Sequence, residues 1–153
     1  VKISFTVNDI PQPGGSKKGF INPKTGRVII TEDAKRNKPW RESVVWAARE
    51  AMRLAGMADE QKLSGPLRLI MNFHMPRVKG HYGTGKNADV LKPNAPHLHT
   101  TRPDLTKLVR STEDALTTAG VWYDDSQVSI QHCSKGYGGN PCAEIEIEVI
   151  ENG

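Results

Sequence analysis

One segment constrains the fold of this 153-residue chain more than any other, because its pattern predicts an amphipathic helix with both ends marked. Apolar residues recur at helical spacing over Leu105–Ala119 and trace one continuous face. Pro103 suits the first turn of a helix, and Gly120 suits its end. A threonine at position 100 or 101 is expected to cap the helix. Such a face must be buried against other elements of the chain.

A second amphipathic helix is predicted at about residues 38–55, between Pro39 in its first turn and Gly56 at its end. Trp40 and Trp46 on this helix are expected in the core or in an interface rather than on a ligand. Further strands are predicted at residues 2–8, 66–75, 127–133 and 142–150, with a short basic hairpin over residues 20–30.

These elements predict an α+β fold in a single domain that spans residues 1–153. We expect a small mixed sheet of about four strands, with the two main helices packed on it and the basic hairpin as an arm. The Gly-rich loop 135–141 predicts that the last two strands form a hairpin. Residues 76–103 hold four Pro and three Gly without apolar periodicity, and a loop of that length is usually functional or disordered.

The charge of the chain is divided unevenly along its length. Residues 1–110 hold 20 Lys/Arg against 9 Asp/Glu, a net charge of +11, whereas residues 111–153 hold one lysine against 8 acids, a net charge of −7. A basic surface attracts polyanions through counterion release, so a nucleic-acid face is one interpretation and a solvated surface is the other. The last strand places Glu144, Glu146 and Glu148 on one face, which should point away from DNA.

Several other kinds of protein are disfavoured. The chain holds no apolar stretch long enough for a membrane span, and its first residues do not resemble a signal peptide, so we expect a cytoplasmic protein. Cys133 and Cys142 lack zinc-site spacing and are expected to be reduced thiols on strands. His97 and His99 lack a nearby Cys or Glu partner, so a solvated or phosphate-contacting pair is favoured over a metal site.

Acidic residues around the Leu105–Ala119 helix are the candidates for metal-assisted hydrolysis, because magnesium prefers carboxylate oxygens. Asp114 lies ten residues beyond Asp104, roughly 15 Å along a helix axis, so those two cannot share a metal ion. If residues 121–125 run extended and antiparallel to the helix, Asp125 returns to the level of Asp104. Asp124 would then point to the other side. The pair Asp104 and Asp125 is therefore favoured, with Asp124 in reserve, although solvated acids would show the same pattern.

Two basic residues lie on the helix beyond Asp104. Lys107 and Arg110 could bind a scissile phosphate or stabilise a transition state. A surface ion pair between Arg110 and Asp114 is the alternative.

The run from Arg102 to Val128 resembles the signature of the RusA family of Holliday junction resolvases. That signature has a D-L-D-N/K-L motif that opens a helix, then D-A-L, a short turn and D-D-x-Q-V. The match extends over about 27 residues in order and in spacing, and His74-Met75-Pro76 is a weaker similarity. The resemblance implies a homodimeric, often phage-borne endonuclease that uses magnesium, with manganese able to replace it, to nick opposing strands of four-way or branched DNA.

Carried over residue by residue, the resemblance assigns the family's first aspartate to Asp104, its D-D-x-Q-V aspartate to Asp125 and its helix lysine to Arg110. The proposed site is thus Asp104, Asp125, Lys107 and Arg110, with Asp104, Asp125 and Asp124 toward the metal. The basic residues that we expect to contact DNA are Lys17, Lys18, Lys24, Arg27, Arg77, Lys79, Lys86, Lys92 and Arg102.

Thr106 stands where the family has its second motif aspartate, and a neutral hydroxyl is a poor magnesium ligand. Three outcomes stay open: Asp124 or another acid fills the gap, one metal held by two carboxylates suffices, or the protein binds branched DNA and cuts it weakly or not at all. A third function, RNA binding or a replication accessory role, is disfavoured because few aromatic residues are left for base stacking.

Overall fold

The structure is a computed structural model that describes residues 1–14, 17–32 and 37–151, with the side chains of 17–19 and 30–32 outside the description. Its strands and helices follow one another along the chain as β1 (Lys2–Val7), β2 (Lys17–Ile21), β3 (Val28–Glu32), α1 (Asn37–Leu54), β4 (Leu67–Met75), α2 (Leu105–Ala119), β5 (Val128–Tyr137) and β6 (Cys142–Val149). Strands β2 and β3 form the predicted hairpin.

The main sheet has four strands in the order β1-β6-β4-β5, which confirms the predicted α+β fold with a mixed sheet. Strand β5 pairs with β4 in parallel, and the other neighbours are antiparallel. The predicted hairpin between the last two strands is wrong, because β4 lies between them. Crossing from β5 to β6 requires about 9.6 Å, and residues 138–141 are long enough to span it.

Both helices pack on one face of this sheet. The buried face of α2, which includes Leu108, Ala115 and Leu116, meets the apolar residues of β4 and β6 in a single core. Trp40 of α1 is fully buried and its indole donates a hydrogen bond to Thr112 Oγ1 at 3.3 Å. Trp46 is 73% exposed, so it does not belong to the core.

The ends of α2 follow the sequence prediction except at the cap. Its C-cap, Gly120, adopts a left-handed conformation with φ 81°, and its backbone N–H donates to the carbonyls of the last turn. The N-cap is Asp104 rather than Thr100 or Thr101. Pro103 therefore precedes the cap and does not lie in the first turn.

The other face of the sheet is polar. Alternation along β6 buries Ile145 and Ile147 against the helices and turns its glutamates outward, as predicted. These glutamates pair across the sheet with basic residues, in the pairs Lys2–Glu146, Arg68–Glu148 and His74–Glu144. The acidic surface of the last strand is thus partly neutralised by its neighbours.

Residues 76–103 are folded back onto the sheet. They contain two 3-10 turns, Lys79–His81 and Gly85–Asn87, and their returning limb pairs with the edge strand β5 through a bridge between Leu98 and Gly136. In the part of the chain that the structure describes, no helix has the length and apolarity needed to cross a bilayer.

Candidate active site

A cleft of about 700 Å³ opens at the N-terminal end of α2. It lies between that helix, the end of β4 and the segment that follows β1. Its lining residues are Ile10, Pro11, Gln12, Pro13, Met75, Pro76, His99, Arg102, Pro103, Asp104 and Lys107. Three of the residues predicted from the sequence, Arg102, Asp104 and Lys107, therefore share one concave surface.

Asp104 occupies the N-cap of α2 with φ −67° and ψ 141°, but its side chain accepts no capping hydrogen bond. The carboxylate is 63% exposed, and Lys107 Nζ lies 3.9 Å from its Oδ2. Because the carboxylate is exposed and accepts no capping hydrogen bond, its oxygens are available to a ligand. Thr106, two residues further along the chain in the first turn of α2, is also exposed.

Two further basic residues lie on either side of Asp104 along the chain. Arg102 is exposed at the rim of the cleft, and Arg110 is exposed on the next turn of α2. The segment before β2 is attached to the same helix, since Gly14 N–H donates to the Lys107 carbonyl at 2.8 Å.

His99 is a cleft residue whose environment the sequence did not reveal. Its Nδ1 is buried without a hydrogen-bond partner among the described residues, and Nε2 lies 3.4 Å from Thr101 Oγ1. Burial, and secondarily the charge of Lys135, lowers the pKa of His99. The imidazole is therefore neutral near pH 7 and packs against the Tyr137 ring, with centroids 5.0 Å apart. No sequence signal distinguished it from the exposed His97.

Asp125 opens a short 3-10 turn, Asp125–Gln127, that leads into β5. Asp124 caps this turn by accepting from Ser126 N–H at 2.8 Å, and these bonds with Ser126 lower the pKa of the Asp124 carboxyl. The Gln127 side chain accepts from the Asp124 N–H and donates to the carbonyls of Leu63 and Gly65. The aspartate–glutamine part of the motif thus builds the turn that presents Asp125.

The neighbour of Asp125 is Glu113 on α2. Burial raises the pKa of the Glu113 carboxyl against the hydrogen bond from Gln131, and the charges of Asp125 and Asp114 raise it further. Glu113 lies nine residues beyond Asp104, roughly 13 Å along the helix axis. Asp125 therefore lies near acidic residues in the middle and later turns of α2 and not near its N-terminal end.

Within one chain the structure does not bring Asp104 and Asp125 together. Lys135 at one end of β5 bonds to the Pro103 carbonyl, directly before Asp104. Asp125 lies just before Val128 at the other end of β5, and Val128 is seven residues, roughly 23 Å, from Lys135 along the strand. The predicted extended return stops short of Asp104: Trp122 is buried and bridges to Leu63, and the 3-10 turn at Asp125 follows at the level of Glu113. Among the described residues no group of three or more His, Cys, Asp or Glu could hold a metal ion.

The residues predicted to contact DNA lie in two parts of the chain, the β2–β3 hairpin and the 76–103 segment. Lys24 and Arg27 are exposed at the β2–β3 turn, whereas the side chains of Lys17 and Lys18 on β2 lie outside the described part. A second group is exposed along the 76–103 segment and comprises Lys79, Lys86 and Lys92.

Arg77 is different, because its guanidinium is committed within the chain. It donates to the Pro96 carbonyl at 2.8 Å and lies 5.1 Å from the centre of the Tyr137 ring. Arg77 therefore holds the 76–103 segment against β5.

Comparison with known proteins adds one finding. A family model described as Endodeoxyribonuclease RusA matches residues 12–148, which include most of the cleft lining, α2 and the Asp124–Asp125 turn. No curated protein matches the chain.

Proposed function

Because the chain belongs to the RusA family of endodeoxyribonucleases, which resolve Holliday junctions, we propose that it is a magnesium-dependent nuclease that cuts four-way DNA junctions by paired nicks. The observation that carries this proposal is the Asp104 carboxylate, exposed and uncapped in a cleft with two cationic side chains. A carboxylate for a metal and cations for a phosphate are the groups that phosphodiester hydrolysis requires.

Magnesium, when bound, would supply a water of lowered pKa and neutralise developing negative charge. The Asp104 carboxylate fits such an ion, because it is exposed and makes no capping hydrogen bond. Thr106 adds only a neutral hydroxyl, so Asp104 is the single carboxylate that one chain offers at the cleft among the residues the structure describes.

A homodimer would supply the missing ligand. We propose that Asp125 of the partner subunit approaches Asp104 across a two-fold axis, so that each active centre contains both motif aspartates. Asp104 and Asp125 are both exposed, and they are separated within one chain. A two-fold protein also matches the symmetry of a four-way junction and of paired nicks. Asp124 contributes by capping the turn that presents Asp125 rather than as a first choice of ligand.

The basic residues divide between catalysis and DNA binding. Lys107 and Arg110, on successive turns of α2, would hold the scissile phosphate and its developing charge. Arg102, the β2–β3 turn and the lysines of the 76–103 segment would contact the phosphates of the junction arms.

A branched-DNA-binding protein that cuts weakly or not at all is the second candidate. Thr106 favours it, since the family has a carboxylate at this position and the chain has none there. This candidate keeps the basic surface and predicts salt-sensitive binding without turnover.

A synthetic four-way junction separates the two functions. With magnesium or manganese, the wild-type protein should nick opposing strands, and the Asp104→Asn and Asp125→Asn variants should bind the junction without nicking it. Binding by gel shift in EDTA is the matched control, because it needs no metal chemistry. An intact junction at stoichiometric excess of wild-type protein would reject the nuclease and leave the binding protein.

A further inference from the structure

Lys135 is the only lysine or arginine among residues 111–153, a segment that otherwise carries eight acids. It lies near the end of the edge strand β5, at the register of Phe73 on β4, and is half-buried. Ordering a lysine in such a place costs side-chain entropy, which the contacts of its ammonium group must offset.

Two of those contacts are short hydrogen bonds to backbone carbonyls. Lys135 Nζ donates to Thr101 O at 2.8 Å and to Pro103 O at 2.7 Å. The Lys135 carbonyl also accepts from the His99 N–H at 3.1 Å. An ammonium group has three donors and no acceptor, so two of its three hydrogens are committed here. Charge-assisted bonds of this length are among the stronger hydrogen bonds in proteins.

The two carbonyls are those on either side of Arg102, directly before Asp104. Strand β5 is paired with β4 without interruption from Ile130 to Tyr137, so it offers a firm base around Lys135. The Asp104 side chain makes no capping bond, so the position of its carboxylate depends on the backbone on both sides: the first turn of α2 holds its carbonyl, and the Thr101–Pro103 segment precedes it. The ammonium group thus joins a rigid strand to the backbone that carries two of the cleft side chains.

We infer that Lys135 is a positioning residue, which fixes the Thr101–Pro103 backbone and thereby aims the Asp104 carboxylate into the cleft. This inference rests on the proposed nuclease function. A direct phosphate contact is disfavoured for Lys135, because the residue is half-buried and its ammonium already donates twice.

Replacement by methionine removes the donors and keeps the length of the side chain. For Lys135→Met we expect the single-turnover nicking rate of the four-way junction to fall about 10- to 100-fold, because small displacements of a catalytic group carry losses of that size. The junction Kd should not change. Lys135→Arg should restore most of the rate, because a guanidinium fork can span both carbonyls.

Hydrogen–deuterium exchange supplies a readout that needs neither metal nor DNA. Peptides covering residues 97–104 should exchange faster in Lys135→Met and at the wild-type rate in Lys135→Arg. Lys2→Met is the matched control: it removes the same charge from the opposite face of the sheet, where Lys2 pairs with Glu146 at 3.3 Å. Rate, Kd and exchange at 97–104 should stay at wild-type values in this control.

The inference is overturned by unchanged exchange at 97–104 in Lys135→Met, by a Kd that weakens in step with the rate, or by an arginine variant that restores slow exchange but not nicking. A wild-type protein that binds junctions without cutting them rejects the proposed function instead, and the exchange measurement still decides whether Lys135 holds the segment.

Discussion

Asp104 stands at a helix N-cap but does not cap the helix. An aspartate in that position usually bonds to a backbone N–H of the first turn, a contact worth about 1 kcal/mol. Here the carboxylate turns toward the cleft and Lys107, so the helix gives up that contribution. Function explains this arrangement better than stability does, since an uncapped carboxylate is available to a ligand.

The neighbouring Thr106 is the residue at which the site departs from its family. Thr106→Asp should raise the nicking rate on a four-way junction, because it restores a carboxylate beside Asp104. The variant should not lose thermal stability, since an acid in the first turn interacts favourably with the helix dipole by about 0.3–1 kcal/mol. Time courses at fixed magnesium, with melting temperatures, measure both effects.

Thr106→Asn is the control for this variant, because it has nearly the same shape as aspartate without the charge. Nicking that rises equally in both variants, or falls in Thr106→Asp, would show that a missing ligand does not limit the rate.

At the scale of elements, the sequence predicted α2 to its last residue and missed two connections. Periodicity with a terminal glycine determines a helix locally, so Leu105–Ala119 was readable. Pairing of β5 is not local, because paired residues such as Met71 on β4 and Cys133 on β5 lie 62 residues apart along the chain. The loop 138–141 does not reveal this pairing, because its length suits a hairpin and a crossing alike. Asp125 was misplaced for a similar reason, because the burial of Trp122 is a tertiary effect.

Gly120 shows how a single position ends an element. Its φ of 81° is left-handed, so Gly120→Ala should destabilise the protein by about 1–2 kcal/mol without a steric clash. In a chain of this size that corresponds to a fall in Tm of roughly 2–8 °C. Gly139→Ala is the control, since its φ lies outside the left-handed range and the new Cβ would meet nothing within 4 Å. Equal Tm values for the two variants in a thermal melt would contradict the left-handed cap.

For the whole molecule, the division of charge has a structural counterpart. Three of the eight acidic residues in the segment 111–153 are glutamates on β6, and they pair with Lys2, Arg68 and His74 across the outer face of the sheet. The described cations outside such pairs include the β2–β3 turn and the lysines of the 76–103 segment. The net charge of +4 therefore understates the basic surface offered to a junction.

The central claim is that Asp104 of one subunit and Asp125 of the other act in one centre, and heterodimers of two inactive chains test it most directly. Differently tagged Asp104→Asn and Asp125→Asn chains are co-expressed, and the mixed dimer is isolated on both tags. In the shared arrangement one centre of that dimer carries both substitutions and the other carries neither. The mixed dimer should therefore nick one strand of a four-way junction, although each parent homodimer is inactive. A mixed dimer as inactive as its parents, beside a wild-type/Asp104→Asn dimer that does nick, would contradict the account.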